Sequence, residues 1–208
     1  KDKLALPATN SLFTGLSIDK KIDESISELS ASTTMTEQQV NDILNSVPTS
    51  ITSLNKISVS PYLSIEQTNN LYGFETESYK TTLQEVNSRI QKEVTADLVS
   101  LAYPKMQETF ILVKKTLTTP QEIRDATIIE LIPVSIAPSS DSIVFTESFP
   151  EITRLQDYQS AKFTIPLLRD SFTFYYKLES NNLNQVKDTI LVLMPNDLSP
   201  SLIPFNCG

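Results

Sequence analysis

The sequence contains no histidine and only three glycines among its 208 residues. The lack of histidine excludes Ser-His-Asp and Cys-His catalytic machinery, and it removes the commonest zinc ligand. The three glycines lie too far apart to form either phosphate-binding loop, GxxxxGK[ST] or GxGxxG. The Asp-Thr/Ser-Gly motif of aspartic proteases is also absent. The sequence therefore identifies no catalytic, cofactor-binding or metal-binding residues, and we expect the protein not to be an enzyme.

Cysteine, tryptophan and long apolar runs are also scarce. Cys207 is the only cysteine, so no disulfide bond can form within the chain. Tryptophan is absent, which weakens the case for a carbohydrate-stacking surface, although Tyr62, Tyr72 and Phe74 could provide one. Wholly apolar stretches such as residues 190–194 are far shorter than the roughly 20 residues that a membrane helix needs. The chain begins at Lys1 without a charged and apolar leader, which is typical of a processed or excised product.

The charge of the chain is predominantly negative, with a formal net charge of −8. Nucleic-acid binding requires clustered Lys and Arg, so this balance argues against such a partner. Four acidic residues recur along one predicted helix edge and could bind calcium through their carboxylates: Asp19, Asp23, Glu24 and Glu28. The turn glycine of a calcium loop is missing there, so we interpret these residues as a solvated helix face.

The residues before Pro104 show mainly helical periodicity. We predict one helix at residues 17–29 with Ser17 as its N-cap, and a second at residues 36–47 that begins with a capping box formed by Thr36 and Gln39. Their apolar stripes are Ile18, Ile22, Ile26 and Leu29, and then Val40, Ile43, Leu44 and Val47. Residues 1–15 look extended, with Gly15 permitting a turn, and residues 50–67 alternate weakly and indicate short strands.

The longest predicted helix follows Ser78 and stops at Pro104. Its apolar residues recur at steps of three and four, which favours one continuous helical stripe: Tyr79, Leu83, Val86, Ile90, Val94, Leu98 and Leu101. We therefore predict that residues 1–104 form a mainly helical N-terminal region with an extended first segment.

After Pro104 the period changes to two residues, which is typical of strands. Six strands are predicted, at residues 107–117, 126–133, 141–149, 160–168, 170–180 and 188–195. Pro133 cannot donate to a strand ladder, so its strand must end there or lie at an edge. Phe172, Phe174, Tyr176 and Leu178 share one face and are predicted to line a sandwich core. Because no helix separates these strands, residues 105–208 are predicted to form an antiparallel sandwich, and the whole chain an α+β protein.

Residues 106–195 resemble a recurrent module of archaeal secreted or membrane-anchored cell-surface proteins. The positions that carry the resemblance are Glu130, Ile132, Pro133, Ser135, Ala137 and Ile143, together with the closing strand FTFYYKLES. The family's usual Asp-Pro and Trp are replaced here by Asp157-Tyr158 and Phe163. The resemblance implies an immunoglobulin-like β-sandwich outside the cell, and the final FNCG resembles the lead into Cys-rich repeats in which Cys207 would have a partner.

These observations favour a non-enzymatic structural or adhesive ectodomain whose partners are other subunits or cell-surface proteins. One alternative is a subunit of an extracellular filament or envelope lattice, in which residues 1–15 would add as a strand to a neighbouring sheet edge. A remote alternative is a metal-independent hydrolase, because neither a glycosidase carboxylate pair nor a Ser/Lys nucleophile pair needs a fixed spacing.

Overall fold

The computed structural model describes residues 12, 15–31, 34–60, 66, 77–146 and 150–195. Within these ranges three α-helices have defined bounds: α1 (Ile18–Ala31), α2 (Glu37–Ser46) and α3 (Glu77–Arg89). The strands are β1 (Ser50–Val59), β2 (Gln91–Ala102), β3 (Gln107–Thr118), β4 (Ile123–Pro133), β5 (Ile143–Phe145), β6 (Glu151–Leu155), β7 (Tyr158–Leu168), β8 (Ser171–Leu178) and β9 (Ile190–Pro195). The 3-10 turns Ser140–Ser142 and Leu183–Asp188 precede β5 and β9.

The strands form two antiparallel sheets, which confirms the α+β class and the two-sheet prediction. The larger sheet has the order β1-β2-β3-β8-β5, and the smaller one has the order β6-β7-β4-β9. Apolar side chains from both sheets pack between them in one large core cluster. An aromatic group lies at its centre, with ring centroids 4.6 Å apart for Phe163 and Phe174 and 5.3 Å apart for Phe145 and Tyr176.

Helical segments cover the outer faces of both sheets. Leu16, Ile18 and Ile22 pack against the outer face of the larger sheet, beside Phe110 and Tyr175. On the opposite side, Leu83 of α3 packs with Ile129, Leu131, Ile190 and Val192 of the smaller sheet. Both sheets are therefore apolar on two faces, and the molecule is built in four layers.

The helix predicted to continue to residue 101 is wrong beyond Arg89, because residues 91–102 form β2. Val94 and Ala96 face the core between the sheets, whereas Val99 and Leu101 face the outer layer. A strand that is buried on both faces reads as a nearly continuous apolar run, and such a run also matches helical spacing.

Val99 distinguishes the predicted helix from the observed strand β2. It is fully buried in the structure, but it lies off the predicted helical stripe. We expect Val99→Ala to lower the free energy of unfolding by about 1–3 kcal/mol, because it removes buried aliphatic atoms. The exposed Glu93→Ala on the same strand is the matched control, with an expected change within about 0.5 kcal/mol. Urea denaturation measures both, and equal effects at the two positions would contradict the strand register.

The boundary placed at residue 104 lies in the turn between β2 and β3, where the Tyr103 N–H donates to the Met106 carbonyl at 2.8 Å. β2 and β3 pair along their whole length, from Gln91 opposite Thr118 to Ala102 opposite Gln107. The strands before and after residue 104 therefore belong to one sheet. The described residues before it contribute β1 and β2 as well as the three helices α1, α2 and α3.

The six strands predicted after residue 104 are present, with corrected bounds. Of the strand predicted at residues 141–149, the described part, residues 141–146, contains the three residues of β5, and residues 147–149 lie outside the described residues. β6 was not predicted. β4 ends at Pro133 as predicted, although it lies inside its sheet between β7 and β9. The weak alternation predicted at residues 50–67 corresponds in its described part, residues 50–60, to one strand, β1, and most of the remainder lies outside the described residues.

Both predicted N-terminal helices are present, and their apolar stripes are less buried than expected. In α1, Ile18 and Ile22 are buried but Ile26 is 53% exposed. Ser17 has a left-handed backbone (φ 51°), and its hydroxyl donates to the Thr146 carbonyl at 3.5 Å. The capping box of α2 between Thr36 and Gln39 is confirmed, but no residue of α2 is fully buried.

None of the helices in the described part of the chain has both the length and the apolar character to cross a membrane.

Gly15 is required for close packing. Most of the predicted extended segment lies outside the described residues, but the Leu16 N–H donates to the Leu12 carbonyl at 3.0 Å, so the described part is a helical turn. A Cβ atom at Gly15 would lie 2.7 Å from Cδ1 of Tyr175 and 3.1 Å from Cδ2 of Leu112.

We expect Gly15→Ala to destabilise the protein by about 1–3 kcal/mol, because the new methyl group overpacks this contact. Thermal melts of Gly15→Ala in the native background and in a Tyr175→Leu background measure the effect. Gly15→Ala should lower the melting temperature less in the background that lacks the Tyr175 ring. An equal decrease in both backgrounds would show that the contact with Tyr175 is not the cause.

Candidate functional site

An ion pair lies in the apolar core between the two sheets. Lys115 occupies an inward position on β3, in line with Ile111, Val113 and Leu117, which belong to the core cluster. Glu130 occupies an inward position on β4, in line with Ala126, Ile128 and Ile132. The side chains of Lys115 and Glu130 are both 0% exposed, and Nζ of Lys115 contacts Oε1 of Glu130. The pair therefore joins the larger sheet to the smaller one.

Two hydroxyl groups complete this cluster. The Tyr176 hydroxyl of β8 donates to Oε1 of Glu130 at 2.8 Å. Lys115 Nζ donates to Oγ1 of Thr189 at 2.6 Å, and Thr189 Oγ1 donates to the Val186 carbonyl at 2.8 Å. Among the described residues, Oε2 of Glu130 has no hydrogen-bond partner. Oε1 of Glu130 therefore accepts from both Lys115 and Tyr176.

Burial changes the acid–base properties of all three ionisable groups. Desolvation lowers the pKa of Lys115 and raises the pKa of Glu130, and the attraction between them opposes both shifts. Burial and then the charge of Glu130 raise the pKa of Tyr176 well above its ordinary value. The Tyr176 hydroxyl therefore keeps its proton and acts as a hydrogen-bond donor, while the charged forms of Lys115 and Glu130 depend on each other.

A second polar group links α3 to β9. Nδ2 of Asn87 donates to the carbonyl oxygens of Leu83 (2.8 Å) and Leu193 (2.7 Å), and the Leu193 N–H donates to Oδ1 of Asn87 at 3.0 Å. Lys92 Nζ donates to the same Oδ1 at 2.9 Å and to the Leu191 carbonyl at 3.1 Å. Burial, followed by the charge of Lys115, lowers the pKa of Lys92 to about 8.

A surface cleft of about 470 Å³ lies near the start of β3. Within it, Nζ of Lys177 contacts Glu108 and lies 4.0 Å from the centroid of the Phe110 ring. The Tyr103 hydroxyl donates to Oε2 of Glu108 at 3.3 Å, and burial with the charge of Glu108 raises the pKa of Tyr103 to about 12. Met106 lines the same cleft and is 61% exposed. The cleft therefore offers both a charged pair and apolar surface.

The predicted site residues have different outcomes. The aromatic stripe on β8 is confirmed as core: Phe174, Tyr176 and Leu178 are fully buried between the sheets, and Phe172 packs against them. The four acidic residues on α1 are exposed. No group of three or more His, Cys, Asp or Glu side chains within the described ranges is placed to hold a metal ion. Tyr62, Tyr72, Phe74 and Cys207 lie outside the described residues.

Sequence reasoning missed the ion pair between Lys115 and Glu130. Glu130 was recognised only as part of the family pattern, and Lys115 only as part of a strand. The available signal was alternation: a charged residue interrupts an otherwise apolar inward series on both strands. Since an unpaired buried charge is very costly, two such interruptions of opposite sign indicate partners.

Comparisons with protein-family models, with curated proteins and with solved structures found no match to this chain.

Proposed function

We propose that this chain is a non-enzymatic structural or adhesive ectodomain of a cell-surface protein, with an immunoglobulin-like sandwich. The observation that supports this best is the position of the ionisable cluster. Lys115 and Glu130 have shifted pKa values, as catalytic groups often do, but they lie at 0% exposure where they join two sheets. In this proposal the two groups stabilise the contact between the sheets and do not act on a substrate.

The surface that would contact a partner is the cleft around Lys177. It combines a Lys–Glu pair with exposed apolar side chains, Met106 and Val144, which are 61% and 49% exposed. A mixture of apolar area and orienting polar groups is typical of protein-binding surfaces. In this proposal the sandwich is a rigid support, and the cleft carries the contact.

The experiment is to locate the chain on the cells that produce it. Antibodies against the purified chain should label intact cells, and external protease should remove the label. Beads coated with the chain should adhere to those cells, and Lys177→Glu should weaken adhesion. Lys20→Glu, at an exposed position of α1 that does not line the cleft, should leave adhesion unchanged. Labelling that appears only after the cells are permeabilised would contradict a surface role.

The filament or lattice subunit remains a second candidate, favoured by one observation. β1 is a ten-residue strand at the end of the larger sheet, and most of its side chains are exposed. A long edge of this kind offers main-chain groups to a strand from another molecule.

Deleting residues 1–15 tests how the first segment contributes to assembly. Leu12, which the deletion removes, packs on the sheet of its own chain, so we expect the deletion to lower the melting temperature without changing the oligomeric state. Light scattering over a range of concentrations, together with a melt, measures both. Polymers formed by the full chain and lost on deletion would support strand exchange instead.

A further inference from the structure

We propose that Lys115 and Glu130 become joined by an isopeptide bond between Nζ and Cδ, so that β3 and β4 are covalently crosslinked across the core. The proposal concerns a modification site, and it is independent of where the protein is located or what it binds.

The geometry places the two reacting groups in direct contact. Nζ of Lys115 touches the carboxyl group of Glu130, and both side chains are completely buried. Each lies on a strand that is paired on both sides: β3 between β2 and β8, and β4 between β7 and β9. Groups held in this way react with effective concentrations on the order of 10⁵–10⁸ M, which compensates for a weak nucleophile.

The surroundings favour the neutral forms that the reaction needs. Transfer of one proton from Lys115 to Glu130 gives an amine and a carboxylic acid, and burial disfavours the charged forms of both groups. The amine is then a nucleophile, and the carboxyl carbon is its electrophile. Tyr176 donates to Oε1 at 2.8 Å and would stabilise the negative charge that develops on this oxygen during attack.

The step is balanced without a further reactant. The Nζ–Cδ bond forms and the Cδ–Oε2 bond breaks. Oε2 leaves as water, with the carboxyl proton and one proton from Nζ. Oε1 stays as the amide oxygen and keeps the hydrogen bond from Tyr176. Oε2 is the suitable leaving oxygen, because among the described residues it has no hydrogen-bond partner to lose.

A second amine lies beside a side-chain carbonyl, since Nζ of Lys92 is 2.9 Å from Oδ1 of Asn87. Its reaction would release ammonia. Asn87 is a poorer candidate, because its amide donates to two carbonyls and accepts the Leu193 N–H. The two reactions differ in the mass that the chain loses, so one measurement distinguishes them.

The experiment is intact-mass spectrometry of the denatured full chain, followed by peptide mapping. We expect a mass about 18 Da below that of the sequence, the mass of one water, and a branched peptide that contains Lys115 and Glu130. Lys115→Arg keeps the positive charge and should have its full sequence mass, whereas Lys114→Arg, on the neighbouring residue, should still lose about 18 Da. Tyr176→Phe should lose the water more slowly after synthesis.

Two results would overturn the assignment. A native chain with the full sequence mass would show that the pair is ionic only. A loss of about 17 Da, the mass of ammonia, with a branched peptide at Lys92 would place the crosslink at Asn87 instead. Both measurements use the chain without substitutions. They therefore decide between these outcomes even if Lys115→Arg fails to fold.

Discussion

Replacing Lys115 by Met is expected to cost about 3–5 kcal/mol of unfolding free energy. Met has a similar length and fills the same apolar space, but it leaves the carboxyl group of Glu130 without its partner at 0% exposure. The loss of stability is therefore due mainly to an unpaired carboxyl group and not to a cavity. It is expected whether the native contact is an ion pair or an amide.

Denaturation in urea measures this effect, and the double variant Lys115→Met, Glu130→Leu is its control. Removing both polar groups leaves no buried charge unpaired, so the double variant should be more stable than either single variant. If the two substitutions instead destabilise additively, the groups do not depend on each other and the cross-sheet contact is wrong.

The single variants should also respond to pH in opposite directions. In Lys115→Met, burial raises the folded pKa of Glu130 above its ordinary 4.5, so the folded state binds the proton more tightly than the unfolded state does. Its stability should fall as the pH rises from 4.5 towards the raised value. In Glu130→Leu, burial lowers the folded pKa of Lys115 below 10.5, so stability should rise as the pH rises towards 10.5. The double variant supplies the baseline for both.

The isolated fragment 105–208 is expected not to fold. It lacks β2, which pairs with β3 along twelve residues and contributes Val94 and Ala96 to the core between the sheets. It also lacks Leu83, which is fully buried against the outer face of the smaller sheet. Without these residues β3 becomes an exposed edge strand, and apolar surface on both sheets is open to water.

Far-UV circular dichroism and a thermal melt of the fragment test this expectation. We expect no cooperative transition. Fragment 77–208, which restores α3 and β2, is the control and should melt cooperatively, at a lower temperature than the full chain. A cooperative melt of fragment 105–208 at the same temperature as fragment 77–208 would show that residues 105–208 are a self-sufficient domain.

The strands after residue 104 could be predicted from the sequence because each is marked by signals within its own short stretch of chain. β8 alternates in polarity, and Phe174 and Tyr176 occupy the inward positions that this alternation predicts. Pro133 marks the end of β4, and the turn that contains Pro120 separates β3 from β4. Such signals depend on backbone chemistry and period, which are properties of a short stretch of chain.

The errors arise where burial depends on distant parts of the chain. β2 was mistaken for helix because both of its faces are buried, one by side chains that include Leu16, Ile18 and Ile22 and the other by the smaller sheet. β6 was missed because its five residues are exposed or only partly buried, which leaves little apolar pattern.

The ion pair depends on a still less local property. Each strand shows that Lys115 or Glu130 points inward, but their meeting depends on how the two sheets are stacked. That stacking is fixed by the summed packing of the core and by no motif in either strand. The alternation of a single strand therefore identifies a buried charge, and only the three-dimensional structure identifies its partner.

The side chain of Asn87 has a consequence for solubility. Through its amide it exchanges a donor and an acceptor with the main chain of Leu193, as a residue on an adjoining strand would do. β9 is the last strand of the smaller sheet, and this is its outward side. An unsatisfied edge at that place would be a template for aggregation in a concentrated solution. Asn87 on α3 thus occupies main-chain groups of β9 that another strand would otherwise pair with. Self-association at this edge requires that α3 first be displaced.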